Sequence, residues 1–285
     1  MATLRDIKRR ISSIGKTQQI TRAMQMVAAS RLKKSQEITL NWRAYSQRMN
    51  QVFEQLLSRT PEDAHPLLAV REPRKLELFV ITSDKGLCGG FNLTMCQKVE
   101  QFMAANRVHF EEISVTVVGK KGRDFFKRRP VQLREDMADI PRDPSQAWIS
   151  AVTRDLSERY GAGTIDTCYL CYHRFKSVLH QVVVMDKFFP LKAPGAETIP
   201  INYIFEPDRQ AVLDTVIPRY LETRVATALY ESTTSEYAAR MAAMDQASKN
   251  ARDMIELLTL TYNKVRQEMI TKELMDIVGG AEALL

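Results

Sequence analysis

The two ends of the chain are long stretches in which almost nothing interrupts a helix. Between Leu4 and about Ser58 there is no proline, and Gly15 is the only glycine. After Pro218 there is no further proline, and no glycine precedes Gly279. Because proline and glycine are the residues least compatible with a helix interior, each stretch predicts one continuous helix. The first would be ~80 Å long and the second ~100 Å, too long for a globular domain of this mass to enclose.

Apolar residues recur in both stretches at alternating steps of three and four. In the first stretch they are Leu4, Ile7, Ile11, Ile14, Ile20, Met24, Val27, Ile38, Trp42, Tyr45, Met49, Val52 and Leu56. In the second they are Tyr237, Met241, Met244, Ala247, Ala251, Met254, Leu258, Ile270, Leu274, Ile277, Ala281 and Leu284. This spacing is typical of a coiled-coil seam, with local irregularities where one step repeats. Two seams at opposite ends of one chain predict an antiparallel pair of helices.

The middle of the chain has strand-like runs that alternate with amphipathic helices. Strands are predicted at 76–82, 113–119, 164–175, 178–189 and 201–206, and helices at 93–106 and 145–160. This alternation predicts a small α/β domain, so the fold class is mixed α/β, a long antiparallel coiled coil with an inserted α/β domain. The expected boundaries are 1–59 for the N-terminal helix, 70–206 for the inserted domain and 207–285 for the C-terminal helix.

Positive charge is concentrated in the first helix. The whole chain carries a net charge of +7, yet residues 1–50 hold eleven Lys and Arg against two acids, a net +9. A basic segment favours an acidic partner such as nucleic acid, an anionic membrane surface or an acidic protein, although a solvated helix face explains it equally well. No run of 18 apolar residues occurs, so no direct membrane insertion is predicted.

Cysteine and histidine offer no recognisable chemical site. Cys168 and Cys171 form a CxxC, but the surrounding TIDTCYLCYHRF predicts a strand, and His173 stands at no metal-ligand spacing. Strand-core cysteines are therefore predicted in place of a zinc or redox site. The sequence contains neither HExxH nor GxSxG, and its four histidines are isolated. Elimination argues against an enzyme in its own right, and no cofactor or metal is expected.

Residues 81–94 read ITSDKGLCGGFNLT, a strand, a glycine-rich loop and a helix, as in many nucleotide sites. A P-loop requires G-x-x-x-x-G-K-[ST], and Phe91 stands where the lysine should be. Gly86, Gly89 and Gly90 also have the wrong intervals for a dinucleotide fingerprint, and the later GKKG run is too short to close on a phosphate. The favoured interpretation is structural: the three glycines permit positive φ and close packing in a strand-to-helix turn. A nucleotide-binding enzyme is the less favoured alternative.

Three separated blocks resemble the gamma subunit of the rotary ATP synthase. They are KTQQITRAMQMVAASRLKKSQ near the N-terminus, ITSDKGLCGGFN in the middle and YNKVRQEMITKELMDIVGGAEAL near the C-terminus. The resemblance implies a central rotor shaft that penetrates a hexamer of alternating alpha and beta subunits. It places the α/β domain on the membrane c-ring, beside the epsilon subunit. Ion flow, expected to be of protons, would turn ring and shaft and drive ATP synthesis on the beta subunits, which hold the nucleotide sites.

The resemblance also implies contact residues for the coupling to beta subunits. Met24 matches the position where the shaft meets the neck of the catalytic ring. Arg266, Gln267 and Thr271 resemble a polar cluster that engages a beta-subunit loop, and Arg240 belongs to the same coupling face. Each has a structural alternative, since Met24 lies on the predicted seam and the two arginines suit a solvated face.

The resemblance further implies where the protein works. No presequence is recognised, so the chain is expected to be bacterial, a peripheral membrane protein on the cytoplasmic face of the inner membrane. The redox-regulated segment of the plastid form has no counterpart between Ile199 and Ala226, so no thiol switch is expected. The alternative hypothesis is a basic coiled-coil protein that binds nucleic acid. Under the rotor hypothesis no nucleic-acid partner is expected.

Overall fold

The computed structural model describes residues 3–58, 60–61, 64–134, 145–191, 206 and 208–282. Its elements are, in chain order, α1 (Leu4–Leu57), β1 (Lys75–Ile81), α2 (Phe91–Asn106), β2 (Glu112–Val118), α3 (Lys120–Phe126), β3 (Gln132–Arg134), α4 (Gln146–Gly161), β4 (Thr167–Phe175), β5 (Gln181–Phe189) and α5 (Arg209–Glu282). The chain forms two compact units. The shaft-end unit comprises Met1–Ala29 and Met241–Leu285, and the sheet unit comprises Ser30–Arg240.

The predicted fold class is confirmed, with long helices at both ends and a mixed sheet between them. Four predicted strands and both predicted inner helices are present, and α5 begins where Asp208 accepts a hydrogen bond from the amide of Ala211 (2.9 Å). The short elements α3 and β3 were not predicted. Residues 201–205 of the last predicted strand lie outside the described residues, and the domain boundaries stay a prediction.

The sheet has five strands in the order β3-β2-β1-β4-β5. All neighbours run parallel except β4 and β5, which form an antiparallel hairpin. The central strand β1 is buried on both faces from Leu76 onward and is apolar there apart from Glu77, as is expected of a parallel strand covered on both sides. Leu78 and Val80 face a core with α2, whereas Phe79 and Ile81 face a core with α1, α4 and α5.

Cys168 and Cys171 lie inside these cores, as predicted. Cys168 and Cys171 are both buried in β4, but their spacing of three places them on opposite faces of the sheet, in different cores. Burial raises the pKa of the Cys171 thiol, and it raises the pKa of Cys96 to about 12. Thiols with raised pKa values and no access to solvent are poor nucleophiles. Both cysteines of the CxxC are free thiols in this structure.

The seam of α1 agrees with the predicted one at Ile7 and Leu56, which are buried, but it is shifted by one residue at five other positions. The predicted seam residues Ile20, Val27, Ile38, Tyr45 and Val52 are 40–60% exposed. At these five places the buried position lies one residue later, and its side chain is mostly small or polar: Thr21, Ala28, Thr39, Ser46 and Phe53. The prediction was wrong here because two neighbouring heptad phases both fit the spacing, and it chose the one with the larger apolar side chains.

In the sheet unit, hydroxyl groups join α1 to α5. The hydroxyls of Ser35 and Thr39 lie 2.6 and 2.8 Å from the hydroxyl of Thr234. Farther along, the indole N–H of Trp42 donates to the hydroxyl of Thr227 (3.0 Å). Since rising numbers on α1 meet falling numbers on α5, the two helices are antiparallel. Small side chains at such contacts allow a close approach of the helix axes.

The shaft-end unit consists of the N-terminal part of α1 and the C-terminal part of α5. The side-chain amide of Gln25 donates to Asp245 (2.9 Å), again pairing an early residue with a late one. The buried side chains of this unit include Ile7, Thr21, Ala28, Met244, Ser248 and Ala251. Within this unit, too, the predicted antiparallel pair is present.

Two glycines that follow β2 hold α3 against Thr82. Gly119 has φ +104°, and a Cβ added there would lie 2.3 Å from the backbone oxygen of Thr82. The amide of Gly122 donates to the hydroxyl of Thr82 (3.0 Å), and a Cβ there would lie 2.6 Å from that oxygen. The GKKG run, which is too short to close on a phosphate, is therefore a packing motif.

We expect Gly119→Ala to destabilise the protein by roughly 3 kcal/mol, because it combines an unfavourable φ with a backbone clash. Urea unfolding of the purified chain measures this change. Gly161→Ala is the matched control, since a Cβ at Gly161 meets nothing within 4 Å. Equal stabilities of the two variants would contradict the packing described for α3.

Candidate functional site

The glycine loop between β1 and α2 is closed by its own hydrogen bonds. The amide of Ser83 donates to the side-chain oxygen of Asn92 (2.9 Å), and the Asn92 amide donates back to the Ser83 hydroxyl (2.8 Å). That hydroxyl in turn donates to the carbonyl of Lys85 (2.7 Å). The side chains of Ser83 and Asn92 are thus engaged with each other and with the backbone of the loop.

The expectation of positive φ holds at Gly89 only, where φ is +59°. Gly90 caps the start of α2 with φ −80°, and Gly86 is not among the glycines with positive φ. The second left-handed residue is Leu87, with φ +63°. This is an uncommon conformation for a leucine, and its side chain points outward, 62% exposed. The turn needs left-handed backbone at two residues, and only one of them is a glycine.

Phe91 fills the place of a P-loop lysine with an apolar ring. The ring is 5% exposed and stacks on the imidazole of His173, with 4.0 Å between the ring centroids. Three prominent cavities formed by the described residues, of about 820, 390 and 450 Å³, are lined by other segments. The geometry therefore supports the structural interpretation of the loop.

Arg240 of α5 binds this loop from outside. One terminal nitrogen of its guanidinium donates to the carbonyls of Lys85 (3.1 Å) and Gly86 (3.3 Å), and the other donates to Glu236 (2.6 Å). Burial raises the pKa of the Glu236 carboxyl, and the neighbouring Arg240 opposes this rise. The structure thus brings together two predicted sets of residues, the glycine loop and Arg240, that lie far apart in the sequence.

The other predicted contact residues lie in the shaft-end unit. Met24 is half-buried, and Arg266, Gln267 and Thr271 are exposed on α5. Gln267 and Thr271 share one face, since they are four residues apart on a helix. The apolar residues around them are also exposed, by 45–68%: Met269, Ile270, Leu274, Met275, Ile277 and Val278. Exposure of this many apolar side chains in one segment indicates a surface that binds another protein.

Sequence reasoning missed Glu236 and the loop carbonyls as partners of Arg240. Glu236 stands four residues before Arg240, which is a readable ion-pair spacing on a helix. The carbonyl contacts leave no signal in the sequence, because any residue supplies a backbone oxygen.

Within the described ranges, no helix has the length and apolar character needed to cross a membrane. The same residues contain no cluster of three or more His, Cys, Asp or Glu with the geometry of a metal site.

Known proteins match this chain over its whole length. A family model described as ATP synthase matches residues 3–284. The ATP synthase gamma chain of Anaeromyxobacter sp. (strain K) is 44% identical over 289 residues, and that of Pelotomaculum thermopropionicum is 43% identical over 286, with 100% of both chains covered in each case. The chain belongs to the ATP synthase gamma-chain family. The alternative of a nucleic-acid-binding coiled coil finds no support in these relatives.

Solved structures of the family share the fold. A chain from the central stalk and c-ring of the Tetrahymena thermophila mitochondrial ATP synthase is 26% identical, with a TM-score of 0.61 over 80% of this chain and 99% of that one. A chain of the Euglena gracilis mitochondrial ATP synthase reaches a TM-score of 0.72 over 99% of this chain and 94% of that one. At 22% identity, this second match shows the fold alone.

His173 stacks on Phe91 at the end of the glycine loop. Because of this histidine, we expect the stability of the protein to fall at acidic pH. Burial lowers its pKa from 6.5 to about 4. The unfolded chain then binds a proton below pH 6.5 that the folded chain does not bind until about pH 4, so stability decreases across this window. The decrease amounts to about 3 kcal/mol at its full extent.

Urea unfolding at pH 7 and pH 4 tests this, with His173→Gln compared with the natural chain. We expect the loss of stability between the two pH values to be smaller in His173→Gln by about 3 kcal/mol. His109→Gln, at an exposed position, is the matched control and should keep the natural pH dependence. Identical pH dependence in all three proteins would contradict the buried, neutral imidazole.

Proposed function

We propose that this chain is the rotating shaft of an ATP synthase central stalk, which couples ion flow through the c-ring to ATP synthesis and hydrolysis. The full-length family match over 3–284 carries the proposal. The antiparallel pairing of α1 and α5 within each compact unit supports it, because torque is transmitted better by packed helices than by loops. The similar Tetrahymena chain belongs to a central stalk and c-ring assembly.

The proposed partners are the alpha and beta subunits of the catalytic hexamer, the epsilon subunit and the c-ring. In this arrangement the shaft has no active site, and ATP is made and hydrolysed on the beta subunits as the asymmetric shaft turns. We place the chain on the cytoplasmic face of a bacterial inner membrane, as a peripheral protein. The bacterial origin of the similar gamma chains supports this location.

The surfaces of the helices suit rotation inside a sleeve of other subunits. The segment of α5 around Leu274 presents exposed apolar side chains, whose contacts are non-directional and do not hold one orientation. Basic residues of α1 such as Lys33 and Lys34 are exposed and suit acidic partner loops. Exposed ion pairs contribute only ~0–1 kcal/mol each, so they are broken and re-formed readily as the shaft turns.

For the coupling contacts we propose two kinds of residue. Met24, Arg266, Gln267 and Thr271 would contact the catalytic ring directly. Arg240 would act in a different way, because its guanidinium already holds Glu236 and two loop carbonyls and its side chain is only 12% exposed. It would support coupling by fixing the glycine loop on α5.

Replacement of Arg266 and Gln267 by alanine tests the proposed contact. In complexes reconstituted into vesicles, we expect the double variant to lower ATP-driven ion pumping by roughly tenfold, as the loss of a typical interface hot spot would. Arg154→Ala removes the same charge from an exposed position of α4 and serves as the control. Pumping at the natural rate by the Arg266 and Gln267 variant would exclude these residues from the coupling contact.

A further inference from the structure

Glu231 is a buried carboxylate where three elements of the sheet unit meet. It lies on α5 and is 3% exposed. Its oxygens accept hydrogen bonds from Nε (2.5 Å) and Nη2 (2.8 Å) of Arg43 on α1. They also accept one from the backbone amide of Phe175 (2.8 Å), the last residue of β4. One carboxylate therefore joins both long helices to the end of a strand.

Arg43 completes a closed set of bonds with the same strand end. Its Nη2 donates to the carbonyl of Phe175 (2.6 Å) as well as to Glu231. Both backbone groups of Phe175 are thus bound by side chains, one from each helix. We call Arg43, Glu231 and Phe175 the strand-end latch. The hydrogen bonds of Glu231 raise the pKa of the Arg43 guanidinium, consistent with a tight pair.

Other side chains on the same part of α5 bind the β4–β5 hairpin. The hydroxyl of Ser235 donates to the carbonyl of His173 (3.2 Å). Arg224 donates to the carbonyl of Lys187 (2.6 Å) and pairs with Asp186 (2.9 Å). Spacings of seven and four residues put Arg224, Glu231 and Ser235 on one face of the helix. The hairpin is therefore attached along more than two turns of α5, between Arg224 and Ser235, and the latch residue Glu231 lies between them.

The latch differs from the apolar core around it in its resistance to sliding. Apolar packing resists separation, but it is non-directional, so it allows neighbouring elements to shift with little loss of contact. A bidentate arginine–carboxylate pair fixes distance and orientation together. If it breaks, a charge is left buried without its partner, which is strongly unfavourable. Such a pair is suited to hold two helices and a strand in one rotational position.

We propose that the strand-end latch transmits torque between the helix pair and the sheet, so that the sheet unit turns with the shaft under load. This inference rests on the proposed rotor function. It assigns to Arg43 and Glu231 a positioning role, in which they touch neither nucleotide nor ion. The alternative is a pair that contributes to folding alone.

A torque-transmitting role and a folding role predict different results when the rotor works against a load. A pair needed only for folding affects the amount of assembled complex, but not the number of ions that each assembled complex pumps per ATP. A torque-transmitting pair has little effect on ATP hydrolysis by the detached catalytic head, where no load acts. It becomes necessary when the c-ring must be turned against an ion gradient.

The test uses complexes lacking this chain, reconstituted in vesicles with the natural chain, Glu231→Gln or Arg43→Lys. Both variants keep size and approximate shape, but the first removes the carboxylate charge and the second removes the bidentate geometry. We expect ATP hydrolysis by detached heads to stay within about twofold of the natural rate, and ions pumped per ATP against a gradient to fall by roughly tenfold, the factor for one lost charge-assisted hydrogen bond. Glu37→Gln, the same change at an exposed position of α1, should pump normally.

The outcomes distinguish the latch from the function on which it rests. If the natural chain does not restore pumping to depleted complexes, the rotor function itself fails. If the natural chain restores pumping and both latch variants pump equally well per assembled complex, the latch proposal is overturned and the rotor function stands. Measurement of assembled complex for each variant ensures that poor folding is not mistaken for a loss of torque.

Discussion

The close approach of α1 and α5 through small hydroxyl side chains is the constraint on which the sheet unit depends. Ser35 and Thr39 reach the single hydroxyl of Thr234 at hydrogen-bond distance, which fixes the helices in register as well as in contact. Larger side chains at these positions would hold the helices apart. In this register Arg43 and Glu231 face each other. The core beneath the sheet then includes residues of both helices, among them Phe53 of α1.

Two of the polar attachments between α5 and the sheet lie at the same edge of the sheet. Arg240 binds the loop that follows β1, and Glu231 binds the last residue of β4. Because β1 and β4 are parallel, their carboxyl ends lie side by side. The glycine loop, placed at the edge where many α/β proteins bind a ligand, here attaches the sheet to a helix. The partner of this glycine-rich loop is the guanidinium of Arg240, which binds two of its carbonyls.

Sequence periodicity predicted the long helices and four strands, because these elements depend on patterns local to each segment. It failed on the phase of α1, where Ile38 and Tyr45 fit the spacing better than Thr39 does and yet are exposed. Two equivalent phases differ only in what the partner helix offers, and a single segment does not contain that information. The motif resemblance identified the family, which periodicity alone did not.

The polar attachments were beyond prediction for a related reason. Arg43 and Glu231 are separated by 188 positions, and two of their four bonds involve backbone groups that every residue has. Glu77 is similar: a charged residue in an apolar strand, fully buried, with bonds from Ser114 and Arg159. An isolated acid in such a run signals that a partner exists, but not which one.

A cross-link between the helices tests most directly the claim that they turn as one body. Ser35→Cys and Thr234→Cys should form a disulfide on mild oxidation, because the native hydroxyls are 2.6 Å apart and the four native cysteines are buried. Complexes carrying the cross-link should pump ions at the natural rate, since helices that rotate together are not hindered by a bond between them. Failure to cross-link, or a cross-linked rotor that stalls, would contradict the account.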